Sequence, residues 1–289
     1  MNHITAEQVC RWLPARDPAG HKGTFGKVYC LCGSVGYTGA PVFASRAAVR
    51  SGSGLVFLGV PRSVWPVVAA KSDEAMPFPL PEEDGKLSPA AEPAIRQRVG
   101  GCDALLMGCG LGRSPGCDEL VRRLLDLPQP LVLDADGINA LRQDMAALSV
   151  RRGRATVLTP HEGEFLRAGG ELTGGREAGA LAFAKTHGVT LILKGPGTVV
   201  AAADGRVAVN TTGNCGMAKG GSGDVLSGVV LSLLGRGMEP FEAACCAVWL
   251  HGRAGDLAAA ERGLWGMTPT DLLEKLPEAL REVTERDML

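Results

Sequence analysis

The chain has 289 residues, of which 45% are hydrophobic, and its formal net charge is −1. The length fits one large domain or two small ones, and the apolar content is sufficient for a buried core. The balanced charge gives no support for binding nucleic acid or another polyanion, and the longest apolar runs are too short to span a membrane.

Nine cysteines are scattered along the chain, most of them inside apolar runs. Their number is odd, no CxxC pair occurs, and the N-terminus lacks the basic-then-apolar order of a secretory signal. These features predict reduced, buried thiols in a cytoplasmic protein. The five dispersed histidines argue against a structural zinc site.

Apolar runs typical of buried strands alternate with segments of helical spacing through most of the chain. The predicted strands cover 27–33, 54–61, 104–112, 130–137, 155–163 and 189–202. The predicted helices between them cover 39–52, 117–127, 138–148, 163–170 and 176–188. This alternation predicts an α/β fold with a mostly parallel central sheet that helices cover on both faces.

The remaining part of the chain follows a different order. Residues 199–210 predict a β-hairpin that turns at Asp204-Gly205. A glycine-rich loop then leads into predicted helices over 224–237, 240–263 and 268–283. Because no internal repeat, low-complexity segment or linker interrupts the pattern, we expect a single domain over residues 1–289. Thr268 is the expected N-cap of the last helix.

Polar or glycine-rich segments follow several of the predicted strands. They are LCGSVGYTG, MGCGLG, DADGIN, TPHEGE and KGPGT. In an open parallel sheet, ligands bind beyond the carboxyl ends of the strands. These segments therefore predict one shared crevice at that edge of the sheet.

The stretch CGMAKGGSGDVLSG, residues 215–228, concentrates glycines in front of a predicted helix. Around Ser222, the glycines Gly221 and Gly223 let backbone N–H groups approach an anion, and the helix N-terminus adds roughly half a positive charge. The position of Asp224 is explained if its carboxylate accepts the proton of a neutral substrate hydroxyl while a transferring phosphoryl group faces the N–H groups. The alternative is that Asp224 is an ordinary N-cap after a flexible loop.

The segment KGPGTVV, residues 194–200, favours a nucleotide contact. Lys194 ends an apolar strand and can bind a phosphate, and Thr198 can hydrogen-bond to the same phosphate. The alternative is that Lys194 is an ordinary solvated lysine at a strand end. Neither GxGxxG nor the Walker pattern occurs, so the predicted phosphate site is of another kind.

Two carboxylates and a histidine also lie at strand ends. Asp134 and Asp136 are two residues apart, so we expect both to point to one side and to order a hydrated Mg²⁺, with strand-end capping as the alternative. His161 is expected to contact a ligand, or else to have a structural role, while Glu164 opens the next helix. Residues 33–40 predict a second phosphate or sugar cradle, although a plain turn explains them nearly as well.

Seven motifs follow one another between residues 21 and 228, and together they define a resemblance over roughly residues 5–285, nearly the whole chain. They are HKGTFGKVYCLCGS, YTGA, GCGLGRS, LDADGIN, LTPHEGEF, LKGPGTVVA and NTTGNCGMAKGGSGDVLSG. This set resembles the ADP- or ATP-dependent NAD(P)H-hydrate dehydratases of the ribokinase-like superfamily. The resemblance implies a three-layer αβα sandwich that repairs damaged cofactor by dehydrating the S epimer of NADH or NADPH hydrate. The ring hydroxyl would first be phosphorylated by the nucleotide, and the phosphate would then leave.

The resemblance also assigns roles to residues. The hydrate would contact Ala40, Gly110, Gly112, His161 and Asp224. The nucleotide would contact Lys194, Gly195, Pro196, Gly197, Thr198 and Gly223. The catalytic base would be Asp224, beside an anion hole formed by Gly221, Ser222 and Gly223 and shaped by Asn214 and Gly220. A supporting metal or phosphate network would comprise Asp134, Asp136 and Asn139, with Mg²⁺ expected for the nucleotide charge.

Further expectations follow from the same resemblance. The region resembling the dehydratases begins within the first few residues, so we expect no N-terminal epimerase domain and a separate epimerase for the R form. A homo-oligomer, such as a tetramer, and a preference for ADP are implied as well. Two segments depart from the family pattern: Gly108-Cys109-Gly110 replaces the more usual Gly-Pro-Gly, and residues 40–43 are bulkier than an alanine-rich run.

Two other functions remain to be weighed. A ribokinase-like small-molecule kinase acting on a vitamin-precursor alcohol would use the same base but release a phosphorylated product; TPHEGEF and GNCGMA favour the dehydratase. A nucleotide sensor without enzymatic activity would lack the acidic residue at the helix mouth, whereas Asp224 is present.

Overall fold

The computed structural model describes residues 2–285 of the chain. The strands are β1 (Lys27–Leu31), β2 (Leu55–Pro61), β3 (Met76–Leu80), β4 (Glu82–Glu83), β5 (Lys86–Leu87), β6 (Ala104–Met107), β7 (Leu131–Leu133), β8 (Thr156–Leu158), β9 (Thr190–Leu193), β10 (Val199–Ala202) and β11 (Val207–Val209). The helices are α1 (Ala6–Trp12), α2 (Gly39–Arg50), α3 (Trp65–Ala69), α4 (Glu92–Val99), α5 (Pro115–Arg123), α6 (Asp136–Asn139), α7 (Glu162–Arg167), α8 (Arg176–His187), α9 (Ser222–Gly235), α10 (Pro240–Gly266) and α11 (Pro269–Thr284).

A nine-stranded sheet forms the centre of the molecule, in the order β11-β10-β9-β8-β7-β6-β1-β2-β3. The strands from β9 to β3 run parallel, while β10 and β11 pair antiparallel at one edge. The predictions of a mostly parallel sheet and of a hairpin at its end are therefore confirmed. Within residues 2–285, every helix is too short or too polar to cross a lipid bilayer.

Alternating side chains of the strands build two separate cores. On β1, Val28 and Cys30 join the core beneath α1, α2, α9, α10 and α11, whereas Tyr29 and Leu31 join the core beneath α4, α5, α7 and α8. Because successive side chains in a strand point to opposite faces, a strand buried on both faces reads as a continuous apolar run. The result is the expected three-layer αβα arrangement.

Two predicted elements are wrong. Residues 189–202 form β9 and the antiparallel β10 instead of one strand, because Gly195 (φ +150) and Gly197 (φ +64) reverse the chain between them. Residues 138–148 do not form one helix: α6 ends at Asn139, Asp144 leaves the helical conformation, and a 3₁₀ helix follows over Met145–Arg151. Strands β3, β4 and β5 and helices α1, α3 and α4 were not predicted.

Gly228 marks a close approach of α9 to α2. A methyl group at this position would lie 2.1 Å from the Ala44 carbonyl oxygen and 2.7 Å from the Ala47 Cβ atom. We expect Gly228→Ala to lower the free energy of unfolding by about 1–3 kcal/mol, because the two helices must move apart. Urea unfolding measures this, with Gly266→Ala as the control because its added methyl group meets no atom within 4 Å. Equal midpoints for the two variants would contradict the close packing.

Candidate functional site

Segments at the carboxyl ends of β1, β6, β7, β9 and the mouth of α9 meet at one edge of the sheet. Ser34 Oγ donates to the Gly110 carbonyl (2.9 Å), and the Gly112 N–H donates to Asp136 Oδ2 (2.9 Å). Lys194 Nζ lies 3.0 Å from Asp134 Oδ1. These contacts join segments that are far apart in the sequence, so the predicted meeting of these segments at one edge of the sheet is confirmed.

Asp224 is the third residue of α9 and not its N-cap. The N-cap is Gly221, whose φ of +106° suits glycine and whose lack of a side chain leaves the helix without a side-chain cap. A methyl group on Gly221 would also lie 2.9 Å from the Phe43 ring. The alternative interpretation of Asp224 as an ordinary N-cap is therefore wrong.

The mouth of α9 presents a set of backbone donors. Within the described residues, no backbone acceptor pairs with the N–H groups of Gly220, Gly221, Gly223 and Asp224. The Lys194 ammonium group is at the same place, since a Cβ atom on Gly223 would lie 3.3 Å from Nζ. Unpaired N–H groups, a helix N-terminus and a lysine together make an environment that attracts an anion such as a phosphate.

The Asp224 carboxyl is partly buried beside other charged groups. Burial, together with the negative charge of Asp134, raises its pKa to about 7. The Cys109 thiol and the Lys194 ammonium group act in the opposite direction. A carboxyl with a pKa near neutrality can accept a proton from a hydroxyl and release it again, as a general base requires.

Lys194 and Asp134 form an ion pair in which Asp134 is buried and Lys194 is partly buried. Burial favours the neutral form of each group, but the attraction between them outweighs this effect, so the pKa of Lys194 is raised and the pKa of Asp134 is lowered. Thr159 Oγ1 donates to Asp134 Oδ1 (2.7 Å), and Glu164 Oε2 lies 3.9 Å from Lys194 Nζ. Lys194 is therefore charged and held in a fixed position at the helix mouth.

The side chains of Asp134 and Asp136 point to different neighbours, so the expectation that both point to one side is wrong. Ala135 between them has a φ of +44°, which breaks the alternation of a strand. Asp134 faces Lys194 and Thr159, whereas Asp136 accepts from the Gly112 N–H group. Burial raises the pKa of Asp136, and the bond from Gly112 opposes this shift.

Three of the residues predicted to contact the hydrate, Ala40, Gly110 and Gly112, lie close to one another. Ala40, in the first turn of α2, packs against Gly110, where an added Cβ atom would lie 2.9 Å from the Ala40 Cβ atom and 2.8 Å from that of Tyr37. Gly112 is joined to Asp136. The small size of these residues lets the segments after β1 and β6 approach each other closely.

His161 is the N-cap of α7. The imidazole Nδ1 atom accepts from the backbone N–H groups of Gly163 (3.0 Å) and Glu164 (3.3 Å). The backbone N–H group of His161 donates to Glu164 Oε2 (2.9 Å). The structural role that the sequence left as an alternative is thus present. More than half of the side chain is exposed (55%), so the imidazole also remains accessible to a ligand.

The KGPGT segment forms the turn between β9 and β10. Gly195, Pro196 and Gly197 are exposed, and Thr198 Oγ1 donates to the Gly195 carbonyl (3.0 Å). Arg176 donates to the Leu193 and Lys194 carbonyls (3.0 and 3.1 Å). The sequence did not identify Arg176, because only the fold brings the start of α8 to this turn.

Asn214 shapes the glycine-rich loop through contacts inside the protein. Its Nδ2 atom donates to Asp256 Oδ1 (2.9 Å), and its Oδ1 atom accepts from the Gly216 N–H group (3.0 Å). The Gly213 N–H group donates to Asp256 Oδ2 (3.0 Å). Asp256 on α10, which the sequence did not suggest, thus anchors the loop that leads to the mouth of α9.

The described residues do not fit a magnesium site held by protein ligands. Mg²⁺ prefers oxygen ligands in octahedral geometry, but Asp134 Oδ1 is already paired with Lys194 and Asp136 accepts from Gly112. Ligand atoms of Cys109, Asp134 and Asp224 come within 4.8 Å of one another, and a thiol is a poor ligand for this cation.

Comparison with known families identifies the chain. The family model described as NAD(P)H-hydrate dehydratase matches residues 28–278. The chain belongs to the NAD(P)H-hydrate dehydratase family. The resemblance drawn from the motifs is thereby confirmed, and membership of this family supports the dehydratase over the small-molecule kinase.

Relatives and solved structures agree with the family model. The chain is 43% identical to a bifunctional NAD(P)H-hydrate repair enzyme of Moorella thermoacetica, covering 98% of this chain and 54% of that protein. It is 38% identical to an ADP-dependent (S)-NAD(P)H-hydrate dehydratase of Neisseria meningitidis, covering 90% of this chain and 86% of that protein. The chain thus spans about half the length of the bifunctional relatives.

Two crystal structures share the fold. A ribokinase-like superfamily protein of Enterococcus faecalis has a TM-score of 0.86 at 25% identity, covering 98% of this chain and 96% of that one. An ADP/ATP-dependent NAD(P)H-hydrate dehydratase of Bacillus subtilis, co-crystallised with ATP and Mg²⁺, has a TM-score of 0.81 at 31% identity, covering 98% of each chain. The predicted ribokinase-like α/β fold is confirmed.

Proposed function

We propose that this chain dehydrates the S epimer of NADH or NADPH hydrate at the expense of ADP or ATP. The products are NAD(P)H, phosphate and AMP or ADP. Membership of the family supports the substrate, and the names of two relatives support the nucleotide. The observation that carries the chemistry is the Asp224 carboxyl at a helix mouth with unpaired N–H groups and a charged lysine.

The reaction proceeds in two steps at this mouth. The Asp224 carboxylate accepts the proton of the ring hydroxyl while the hydroxyl oxygen bonds to the terminal phosphorus, and the bond to the leaving nucleotide breaks. The N–H groups of Gly221 and Gly223 and the Lys194 ammonium group stabilise the negative charge that develops on the phosphoryl oxygens. The ring carbon–oxygen bond then breaks and phosphate takes its electron pair, while the adjacent carbon gives a proton to solvent water and the electrons of that carbon–hydrogen bond form the double bond.

We propose that the other predicted site residues surround this centre. The hydrate lies against Ala40, Gly110, Gly112 and His161. The nucleotide lies along the turn formed by Gly195, Pro196, Gly197 and Thr198. Magnesium is proposed to arrive with the nucleotide phosphates, since the described residues do not form a magnesium site of their own.

The first test is the reaction itself. The protein is incubated with NADH hydrate and either ADP or ATP, and recovery of the absorbance of the reduced nicotinamide is followed. We expect recovery with at least one nucleotide and one phosphate released for each NADH formed. No recovery with either nucleotide, together with phosphorylation of a simple alcohol, would overturn the proposal in favour of a small-molecule kinase.

The pH dependence of turnover gives a second test. Because burial and Asp134 raise the pKa of Asp224 to about 7, the carboxyl becomes a competent base only as the pH rises through that value. We expect turnover to increase about tenfold per pH unit below pH 7 and to level off above it. An acid limb near the ordinary aspartate pKa, about 4, would contradict this assignment.

The cellular setting completes the proposal. The R epimer requires an NAD(P)H-hydrate epimerase activity as a functional partner, and the chain acts as one domain within a homo-oligomer. A cytoplasmic location is supported by the nine cysteines, all of which are free thiols in the structure.

A further inference from the structure

A histidine on α10 contacts the first turn of α9. The Nε2 atom of His251 lies 2.8 Å from the carbonyl oxygen of Ser222, the first residue of α9. Because a carbonyl oxygen can only accept a hydrogen bond, Nε2 carries the hydrogen and donates it. The sequence did not indicate His251, since only the packing of α10 against α9 brings its side chain to the helix mouth.

The imidazole of His251 is neutral at physiological pH. Burial of the ring and the positive charge of Lys194 lower its pKa to about 4, although the bond to Ser222 acts in the opposite direction. Which nitrogen of a neutral imidazole carries the hydrogen is set by the bonds of the ring, and here the Ser222 carbonyl requires it on Nε2. His251 therefore contributes a neutral donor to the turn and adds no positive charge.

The carbonyl that His251 binds belongs to the same peptide unit as the Gly223 N–H group. The C=O and N–H bonds of a planar trans peptide point in opposite directions, so a bond that fixes the carbonyl also fixes the direction of the N–H group. Within the described part of the chain, this N–H group has no backbone acceptor, and Lys194 Nζ lies close to Gly223. A hydrogen bond to the carbonyl also strengthens the N–H group as a donor, because bonds in a chain polarise one another.

The turn that His251 contacts lacks the usual anchor of a helix start. The N-cap of α9 is Gly221, which has no side chain to cap the helix. The bond from His251 to Ser222 supplies a side-chain contact to the same turn from the neighbouring helix. The direction of the Gly223 N–H group therefore depends on this contact more than it would in a helix with a capped start.

We propose that His251 is a positioning residue, which directs the Gly223 N–H group towards the phosphoryl oxygens at the mouth of α9. The inference deepens the proposed function and rests on it for the identity of the transferred group. The part played by His251 is indirect, since its donor contacts the protein backbone and acts on the phosphoryl group through one peptide unit.

The kinetic experiment compares His251→Leu with His251→Gln. Leucine has no donor, whereas the glutamine amide can donate from nearly the same place as imidazole Nε2. For His251→Leu we expect kcat to fall about tenfold while the KM for NADH hydrate stays unchanged, because the N–H group acts on charge that develops in the transition state. His251→Gln should recover most of the lost kcat.

The control is Ser232→Ala. This variant removes a hydrogen bond from the last turns of α9, where Ser232 Oγ accepts from Ser53 Oγ (2.9 Å). We expect it to keep the wild-type kcat even where urea unfolding shows a loss of stability. Equal losses of kcat in His251→Leu and His251→Gln would overturn the inference, since the donor would then not matter.

A measurement without NADH hydrate separates this inference from the proposed function. The Gly223 amide is followed by ¹H–¹⁵N NMR during titration with inorganic phosphate, with ¹³C-serine and ¹⁵N-glycine labelling to select Ser–Gly peptides. We expect phosphate to shift this amide hydrogen downfield in the wild type and in His251→Gln, and to shift it less in His251→Leu. This result supports the inference even if the wild type fails to dehydrate NADH hydrate and the proposed function falls.

The wild-type protein alone provides a further test, which holds even if His251→Leu does not fold. Imidazole ¹⁵N spectra should show the hydrogen of His251 on Nε2 throughout the neutral pH range. A ring with its hydrogen on Nδ1 overturns the inference. So does a Gly223 amide that ignores phosphate in the wild type, or one that responds equally in all variants.

Discussion

Replacing Asp224 with asparagine is expected to reduce turnover by at least ~10²-fold while leaving nucleotide binding intact, because the variant loses its general base but keeps the shape of the helix mouth. The amide cannot accept the hydroxyl proton, whereas the N–H groups and Lys194 can still hold phosphate. Single-turnover kinetics with NADH hydrate measure the first effect, and calorimetric titration with ADP measures the second.

The control for this variant is Glu242→Gln. Glu242 occupies the same position, third in its helix, at the start of α10, and its loss should leave turnover unchanged. Near-normal turnover in Asp224→Asn would remove Asp224 from the mechanism. Loss of nucleotide affinity equal to the loss of turnover would instead make Asp224 a residue of the binding site.

Asp224→Asn should also stabilise the protein above neutral pH. An aspartate of ordinary pKa ionises near pH 4 in the unfolded chain, whereas burial delays ionisation in the folded protein to about pH 7. The native carboxyl therefore lowers stability as the pH rises between these values, with the full cost above pH 7. We expect a higher melting temperature for Asp224→Asn than for the wild type at pH 8 and little difference at pH 4.

Replacing Lys194 with methionine should have the second large effect, on both activity and stability. Asp134 is almost fully buried, and the variant removes its cation. Breaking a buried pair from one side costs about 3 kcal/mol, because an unpaired charge remains in the interior. Turnover should fall as well, since the cation at the phosphate position is lost. Urea unfolding and steady-state kinetics measure the two effects.

Two further variants make this prediction specific. Lys194→Met combined with Asp134→Asn leaves no buried charge and should recover much of the stability without recovering turnover. Lys185→Met, an exposed lysine on α8, should change neither quantity. A Lys194→Met variant as stable as the wild type would mean that the ion pair contributes nothing.

The pH dependence of Lys194→Met also has a definite sign. With Lys194 present, the pKa of Asp134 is lowered; without it, burial raises that pKa above its ordinary value. The variant therefore loses stability as the pH rises through the titration range of Asp134, and its deficit should be larger at pH 8 than at pH 5.

Much of the fold could be predicted from the order of apolar runs and turns. The alternation of strands and helices indicated the parallel sheet, and Asp204-Gly205 indicated the terminal hairpin, because both patterns are local in sequence. The break between β9 and β10 was missed, since two apolar runs joined by KGPGT read as one strand. The helix over 138–148 was predicted from its helical spacing, but α6 ends at Asn139 and the backbone is not helical at Asp144.

The sequence by itself determined the fold class, the family and the place of an acidic residue at a glycine-rich helix start, because each depends on residues that are neighbours in the chain. Only the tertiary structure decided that Lys194 pairs with Asp134, 60 residues away, that Asp136 turns instead towards Gly112, and that the Cys109 thiol donates to Asp134. These relations depend on the strand order, which places distant strand ends side by side. The pKa of Asp224 follows from burial and from those neighbours, so no pattern along the chain could have supplied it.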